Sequence, residues 1–196
     1  MPHGLSCQFS AGRHSRHNLV SSSFHRGLNS VGIPSVLEPR DLAHKENTTR
    51  KETRPDGKTL LPWAFGKPLV WDVTVVDTVA PSYVERSSEK VGSAAEMAED
   101  RKIRKYAYLG NNYHFVPIAL ETFGVWGDQA ETIIKDVGKR VEARTGEIRS
   151  LEYLRQRIII DLQRGNAACV LGALPNQKGL DSIFFCLGYN AVADSG

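Results

Sequence analysis

Apolar residues recur at helical spacing in four parts of the chain. Val20, Phe24, Leu28 and Val31 predict a helix over 16–31, which Gly32 would end. Similar patterns predict helices over 89–109, 128–144 and 151–171, the last weakened by Gly165.

Apolar runs bounded by turn residues predict the strands. They cover 57–62, 69–77 and 113–120, with a turn at 65–68 and a short extended segment at 33–39. Pro117 marks the third strand as an edge strand or a bulged one. Residues 40–54 are polar without periodicity, which predicts a loop. The element order α, β, β, β, α, β, α, α predicts a small α/β or α+β domain with a mixed sheet.

Composition narrows the class of protein. With 196 residues, 41% of them hydrophobic, the chain can bury a substantial core. Three cysteines are too few for a disulfide framework and favour a reducing, intracellular location. No apolar run approaches the ~20 residues of a membrane helix, and the first residues lack a secretory-signal pattern, so we expect no membrane partner. Residues 11–54 hold eight Lys or Arg against four Asp or Glu, which suits a polyanion partner or plain solvation.

An acidic residue stands inside the strand predicted over 69–77. Asp72 shares one face with Val70 and Thr74, where a buried charge is costly unless it is compensated. Asp56 lies just before the neighbouring strand, and pairing through the turn would bring it close to Asp72. Two carboxylates can hold a hard divalent cation. Alternatively, Asp56 orders a turn with Gly57, and a buried hydroxyl or an arginine satisfies Asp72.

Two lysines fall on the alanine-lined face of the helix predicted over 89–109. Lys102, Lys105 and Tyr106 share this face, which should pack on the sheet, whereas Glu99 lies opposite. A lysine aimed at the acidic pair would stabilise a pentacovalent phosphorus or orient the attacking water. The alternative is that both lysines extend from a half-buried face to solvent.

Three motifs together resemble a known nuclease domain: Arg54-Pro55-Asp56, Val70-Trp71-Asp72-Val73-Thr74 and Arg101-Lys102-Ile103-Arg104-Lys105-Tyr106. They are similar to the restriction-like endonuclease of the PD-(D/E)XK superfamily, found at the C-terminal end of some non-LTR retrotransposon polyproteins. The resemblance implies a restriction-endonuclease-like mixed sheet flanked by helices, with an αβββαβ core and extra C-terminal helices.

The resemblance also implies a site. Asp56 and Asp72 would be ligands of Mg²⁺ or Mn²⁺, and Lys105 or Lys102 would complete the site with Tyr106. Thr74 stands where many members of the superfamily have the catalytic lysine. A third acidic ligand is common in such sites, and Glu38 is our choice, with Glu121 as its competitor.

Upstream residues resemble the end of the zinc knuckle that precedes this nuclease, followed by a basic helix. His3 and Cys7 supply two of the four ligands that a structural zinc needs, so we do not expect zinc to bind. The resemblance assigns phosphate contacts to Arg13, His14, Arg16, His17 and Arg26. It divides the chain into a knuckle remnant (1–15), a nuclease core (16–125), a helical extension (126–174) and a poorly determined tail (175–196).

The function implied is a metal-dependent DNA endonuclease that nicks one strand of its target. Its partners would be DNA and the remainder of a reverse-transcriptase polyprotein, and its location would be intracellular, in the nucleus. One alternative is a catalytically inactive, transposon-derived DNA-binding or interaction module. Another is a soluble domain whose charges only solvate it. Metal binding at the acidic pair separates the first two.

Overall fold

The computed structural model describes residues 12–45 and 52–172, in which a four-stranded mixed sheet has helices on both sides and a two-stranded ribbon forms a second, small sheet. The strands are β1 Ser35–Leu37, β2 His44–Lys45, β3 Glu52–Thr53, β4 Gly57–Ala64, β5 Lys67–Val76 and β6 His114–Glu121. The helices are α1 Gly12–Ser30, α2 Val84–Glu89, α3 Ser93–Lys105, α4 Asp128–Thr145 and α5 Ser150–Gly172, with 3₁₀ turns at Arg40–Leu42 and Ala107–Asn112.

The main sheet has the strand order β1-β4-β5-β6. The β1–β4 and β4–β5 pairs are antiparallel, whereas β5 and β6 are parallel. This confirms the predicted mixed α/β class. Pro117 lies on β6, an edge strand of this sheet, as predicted.

Side chains alternate along β5, so its residues belong to two apolar layers, one on each face of the sheet. Leu69, Trp71 and Val73 join the main core with side chains of α1, α4 and α5, including Phe24, Ile134 and Ile158. Val70 packs with Tyr106 on the opposite face, and Val76 packs with the alanines of α3. The sheet therefore lies between α1, α4 and α5 on one side and α3 on the other.

The β4–β5 hairpin turns at Phe65 and Gly66, both with positive φ (52° and 74°), which fits a two-residue hairpin turn. At the other end of β4, Gly57 packs directly on the ring of Trp71. A Cβ at Gly57 would lie 2.0 Å from that ring, so the start of β4 requires glycine.

The predicted helix over 89–109 is shorter in the structure. Gly92 has φ 85° and separates α2 from α3, and Val91 beside it is 75% exposed. Ala94 and Ala98 are buried as predicted. Glu99, predicted on the polar side, is also buried, because its carboxylate accepts N–H hydrogen bonds from the first turn of α4.

Residues 40–54 were wrongly predicted to be a loop. The described part holds a 3₁₀ turn and the two-stranded ribbon β2–β3, in which His44 pairs with Thr53. Strands of two residues are too short to show a period of two, so the pattern gave no signal.

No described helix is both long enough and apolar enough to cross a membrane.

Candidate active site

The backbone of β5 holds Asp56 beside Asp72. Gly57 pairs with Trp71, so the next step of this antiparallel register sets Asp56 opposite Asp72. The N–H of Asp56 donates to the carbonyl of Trp71 (3.0 Å), and the N–H of Val73 donates to Asp56 Oδ2 (2.6 Å). Asp56 is thus bonded to both neighbours of Asp72. Residues directly opposite in such a pair have Cβ atoms about 5 Å apart.

Asp72 is buried, with 3% of its surface exposed. Its Oδ1 accepts a hydrogen bond from the Tyr106 hydroxyl, and its Oδ2 forms an ion pair with Lys102 Nζ. The same hydroxyl lies 2.8 Å from the carbonyl oxygen of Arg54, so its single hydrogen serves one acceptor at a time. Side chains from β5 and α3, together with the residue just after α3, meet at this carboxylate.

The electrostatics of Asp72 follow from its burial. Burial and the nearby charge of Asp56 raise the pKa of Asp72, whereas Lys102 and Tyr106 oppose this rise. Burial and the charge of Asp72 also raise the pKa of Tyr106, which stays a neutral hydrogen-bond donor. Lys102 and Tyr106 therefore favour the ionised form of Asp72, against burial and the charge of Asp56.

His17 is a member of the site that sequence reasoning placed elsewhere. It was predicted to contact DNA, but its Nε2 lies 2.8 Å from Asp56 Oδ2. Burial lowers the pKa of His17, but the hydrogen bond and charge of Asp56 outweigh burial and raise it to about 8. His17 is therefore mostly protonated at pH 7. The two residues are 39 positions apart, and no local pattern links them.

A cavity of about 190 Å³ opens beside Asp56, between α1 and the end of β1. Glu38 lines this cavity; its carboxylate pairs with Arg54, and its N–H donates to the Asp56 carbonyl (2.8 Å). Glu121 is elsewhere: it is buried and accepts a hydrogen bond from the N–H of Ala94 in the first turn of α3. Of the two candidate third ligands, Glu38 lies in the cavity of Asp56.

The two candidate lysines have different positions. Lys102 contacts Asp72, whereas Lys105 is exposed and its ammonium lies 5.0 Å from the centre of the Tyr106 ring. Thr74 is partly buried on β5, and its hydroxyl has no hydrogen-bond partner among the described residues.

The predicted phosphate-contacting residues are spread around α1. His14 is exposed, and Arg26 is exposed beside Asp161. Arg16, which was also predicted to contact phosphate, is buried: it is 4% exposed, and its guanidinium donates to Asn166 Oδ1 (3.0 Å). The side chain of Arg13, the partial zinc site His3 and Cys7, and the tail 175–196 lie outside what the structure describes.

The donor set suits an open site for a hard cation. Mg²⁺ is commonly held by one or two carboxylates, with water and substrate phosphate supplying the other oxygens. Asp56 and Asp72 provide two, although Lys102 Nζ already pairs with Asp72 Oδ2. Within residues 12–45 and 52–172, no three His, Cys, Asp or Glu side chains are grouped to enclose a metal. The pair therefore fits a site completed by substrate and water.

No protein-family model matches the chain, and no curated protein is significantly similar to it. The resemblance to retrotransposon endonucleases therefore stays a prediction.

Proposed function

We propose that this chain is a Mg²⁺- or Mn²⁺-dependent DNA endonuclease domain, derived from a non-LTR retrotransposon, that nicks one strand. Its fold would be the restriction-endonuclease-like arrangement of the PD-(D/E)XK superfamily. One observation supports this above all: buried Asp72 contacts Lys102 and Tyr106 and lies beside Asp56. Three distant motifs thereby supply the groups that phosphodiester hydrolysis requires.

Asp56 and Asp72 would hold the cation, which when bound lowers the pKa of a water and neutralises charge on phosphate. Lys102 pairs with the buried carboxylate of Asp72. Its ammonium would stabilise the negative charge that develops on the phosphoryl oxygens. Tyr106, a neutral donor, orients the Asp72 carboxylate, and the backbone N–H of Val73 orients Asp56.

A second candidate function is an inactive DNA-binding module. One observation favours it: each carboxylate already has a cation from this chain, Lys102 on Asp72 and protonated His17 on Asp56. A charge-balanced pair of this kind needs no metal. An active enzyme must bind its cation against this internal pairing, whereas an inert module has no reason to bind one.

Nicking of supercoiled plasmid with Mg²⁺ or Mn²⁺ tests the proposal. We expect metal-dependent nicking by the wild-type chain and its loss in Asp72→Asn, which keeps the side-chain shape. Asp77→Asn is the matched control, since Asp77 is also a buried carboxylate (6% exposed) at the end of the same strand.

Mn²⁺ titration by calorimetry then separates the two candidates. If the wild-type chain shows heat of Mn²⁺ binding and Asp72→Asn shows none, the endonuclease proposal is supported. If neither protein nicks or binds Mn²⁺ while both bind DNA, the inert module is the better description. Nicking that survives Asp72→Asn would mean that the acidic pair is not the catalytic site.

A further inference from the structure

Helices α1 and α5 pack against each other in antiparallel directions. Ser23 contacts Asp161, and Gly27 faces Leu154. Between the helices lies the carboxylate of Asp161, 1% exposed, which accepts the hydroxyl hydrogen bond of Ser23. A buried charge thus sits in the centre of this helix pair.

Three arginines converge on Asp161. Arg26 Nη2 (3.4 Å) and Arg157 Nε (3.1 Å) approach its Oδ2, and Arg164 Nη1 (3.4 Å) approaches its Oδ1. All three side chains are more than half exposed, at 55%, 53% and 64%. Asp161 therefore holds the inner edge of each guanidinium while the outer part faces solvent. We call these three residues the arginine surface.

The number of cations exceeds what Asp161 requires. One counter-charge offsets a single buried carboxylate, so the remaining two leave a local excess of positive charge on α1 and α5. Like charges held together repel one another, and an external anion relieves that repulsion. Each guanidinium carries five N–H donors, and the described contacts give Asp161 only one from each, while Arg26 Nη2 also donates to Ser23 Oγ (2.8 Å). Donors remain for a ligand at all three positions.

We infer that the arginine surface binds the phosphodiester backbone of double-stranded DNA. Guanidinium groups match phosphate oxygens in planar, two-point contacts, and the buried carboxylate limits the orientations that these arginines adopt. Adjacent phosphates on a strand supply the repeated negative charge that three neighbouring cations fit. Contacts of this kind position a duplex and do not read its sequence. The inference rests on the proposed function only in taking DNA as the partner.

The surface is separate from the acidic pair. Arg26 follows His17 by nine residues on α1, and at about 100° per residue these two side chains point to opposite sides of the helix. The phosphates bound by Arg26, Arg157 and Arg164 are then different from the phosphate that is cleaved. The arginines are positioning residues and not catalytic ones.

Binding of a fluorescent duplex of random sequence in EDTA, followed by anisotropy across a salt series, tests the inference without cleavage. The variant is Arg157→Gln/Arg164→Gln in the full chain, which leaves Arg26 to pair with Asp161. Loss of two phosphate contacts should weaken binding and flatten the slope of log K against log salt by about 1.8. The control is Arg149→Gln, which removes an exposed arginine that is paired with Glu147, away from this surface. Arg149→Gln should change neither the affinity for the duplex nor the salt slope appreciably.

Two results would overturn the inference: a double variant that binds like Arg149→Gln, or a wild-type chain that binds no duplex in EDTA. Failure of the nicking assay is distinguishable, because salt-dependent binding through these arginines would remain. If nicking occurs, the double variant should need more DNA for half-maximal rate while its maximal rate is retained. A lower maximal rate at saturating DNA would contradict a positioning role.

Discussion

Lys102 should carry most of the charge compensation of Asp72, and Lys102→Met tests this directly. The substitution keeps a long apolar side chain but removes the ammonium that pairs with Asp72 Oδ2. Removing one partner of a buried ion pair costs about 3–5 kcal/mol, because the other charge stays buried without compensation. The side chain of Lys102 is 22% exposed, so we expect the lower end, about 3 kcal/mol at pH 7.

The stability lost in Lys102→Met should depend on pH, and the pKa of Asp72 defines the direction of this dependence. Without Lys102, burial and Asp56 raise the pKa of Asp72 unopposed by the ammonium, so the folded state binds a proton more tightly than the unfolded state does. The stability that this proton contributes is fully present below pH 3.8, the ordinary pKa of an aspartate, and is lost as the pH rises through the pKa of Asp72 in the folded state. The difference in free energy of unfolding between Lys102→Met and the wild type should therefore become smaller towards acid pH.

Urea unfolding in EDTA, at neutral and at acid pH, measures both effects. Lys105→Met is the matched control: Lys105 is exposed, with its ammonium 5.0 Å from the centre of the Tyr106 ring, and this substitution should cost only about 0.5–1 kcal/mol. The double variant Lys102→Met/Asp72→Asn should recover much of the lost stability, since it removes the unpaired charge. Equal unfolding midpoints for the two lysine variants at pH 7 would refute the buried ion pair.

Three further predictions concern single side chains. Gly165→Ala should lower the free energy of unfolding by about 1–3 kcal/mol, because the new Cβ would lie 2.5 Å from Arg16 Cα. Helix propensity alone favours alanine, so a more stable variant would exclude this close contact. His17 should titrate by NMR near pH 8 and not 6.5. Its raised pKa contributes stability below pH 6.5 that is lost as pH rises through 8, and His17→Gln should abolish this dependence. Phe24→Ala should cost about 3–5 kcal/mol in thermal unfolding, since the ring is fully buried against Trp71, and a loss under ~1 kcal/mol would contradict that packing.

Local patterns predicted much of the fold and part of the candidate site. The alternation in β5 and the helical spacing of Ile133, Ile134 and Val137 in α4 arise from a single buried face, which sequence periodicity records directly. The proximity of Asp56 and Asp72 was also predictable, because a short hairpin connects them.

The remaining features depend on contacts between distant elements. His17 reaches Asp56, and Ser23 reaches Asp161 over 138 positions, so no window of sequence contains either pair. Glu99 and Arg16 lie at the edge of the buried face of their helices, each one turn from a buried apolar residue, Ala95 or Val20. They are buried because α4 and α5 contact their helices at this edge.

The antiparallel packing of α1 on α5 also bears on how the chain folds. Arg16 and Asn166, which bond across this packing, lie 150 positions apart. Their helices share the main core with β5, so that core stays incomplete until α5 has been synthesised. Contacts between such distant segments close large loops, which slows folding relative to domains of the same size built from local contacts. Before α5 docks, the apolar face of α1 is open to water, and during synthesis this face is the surface on which a chaperone would act.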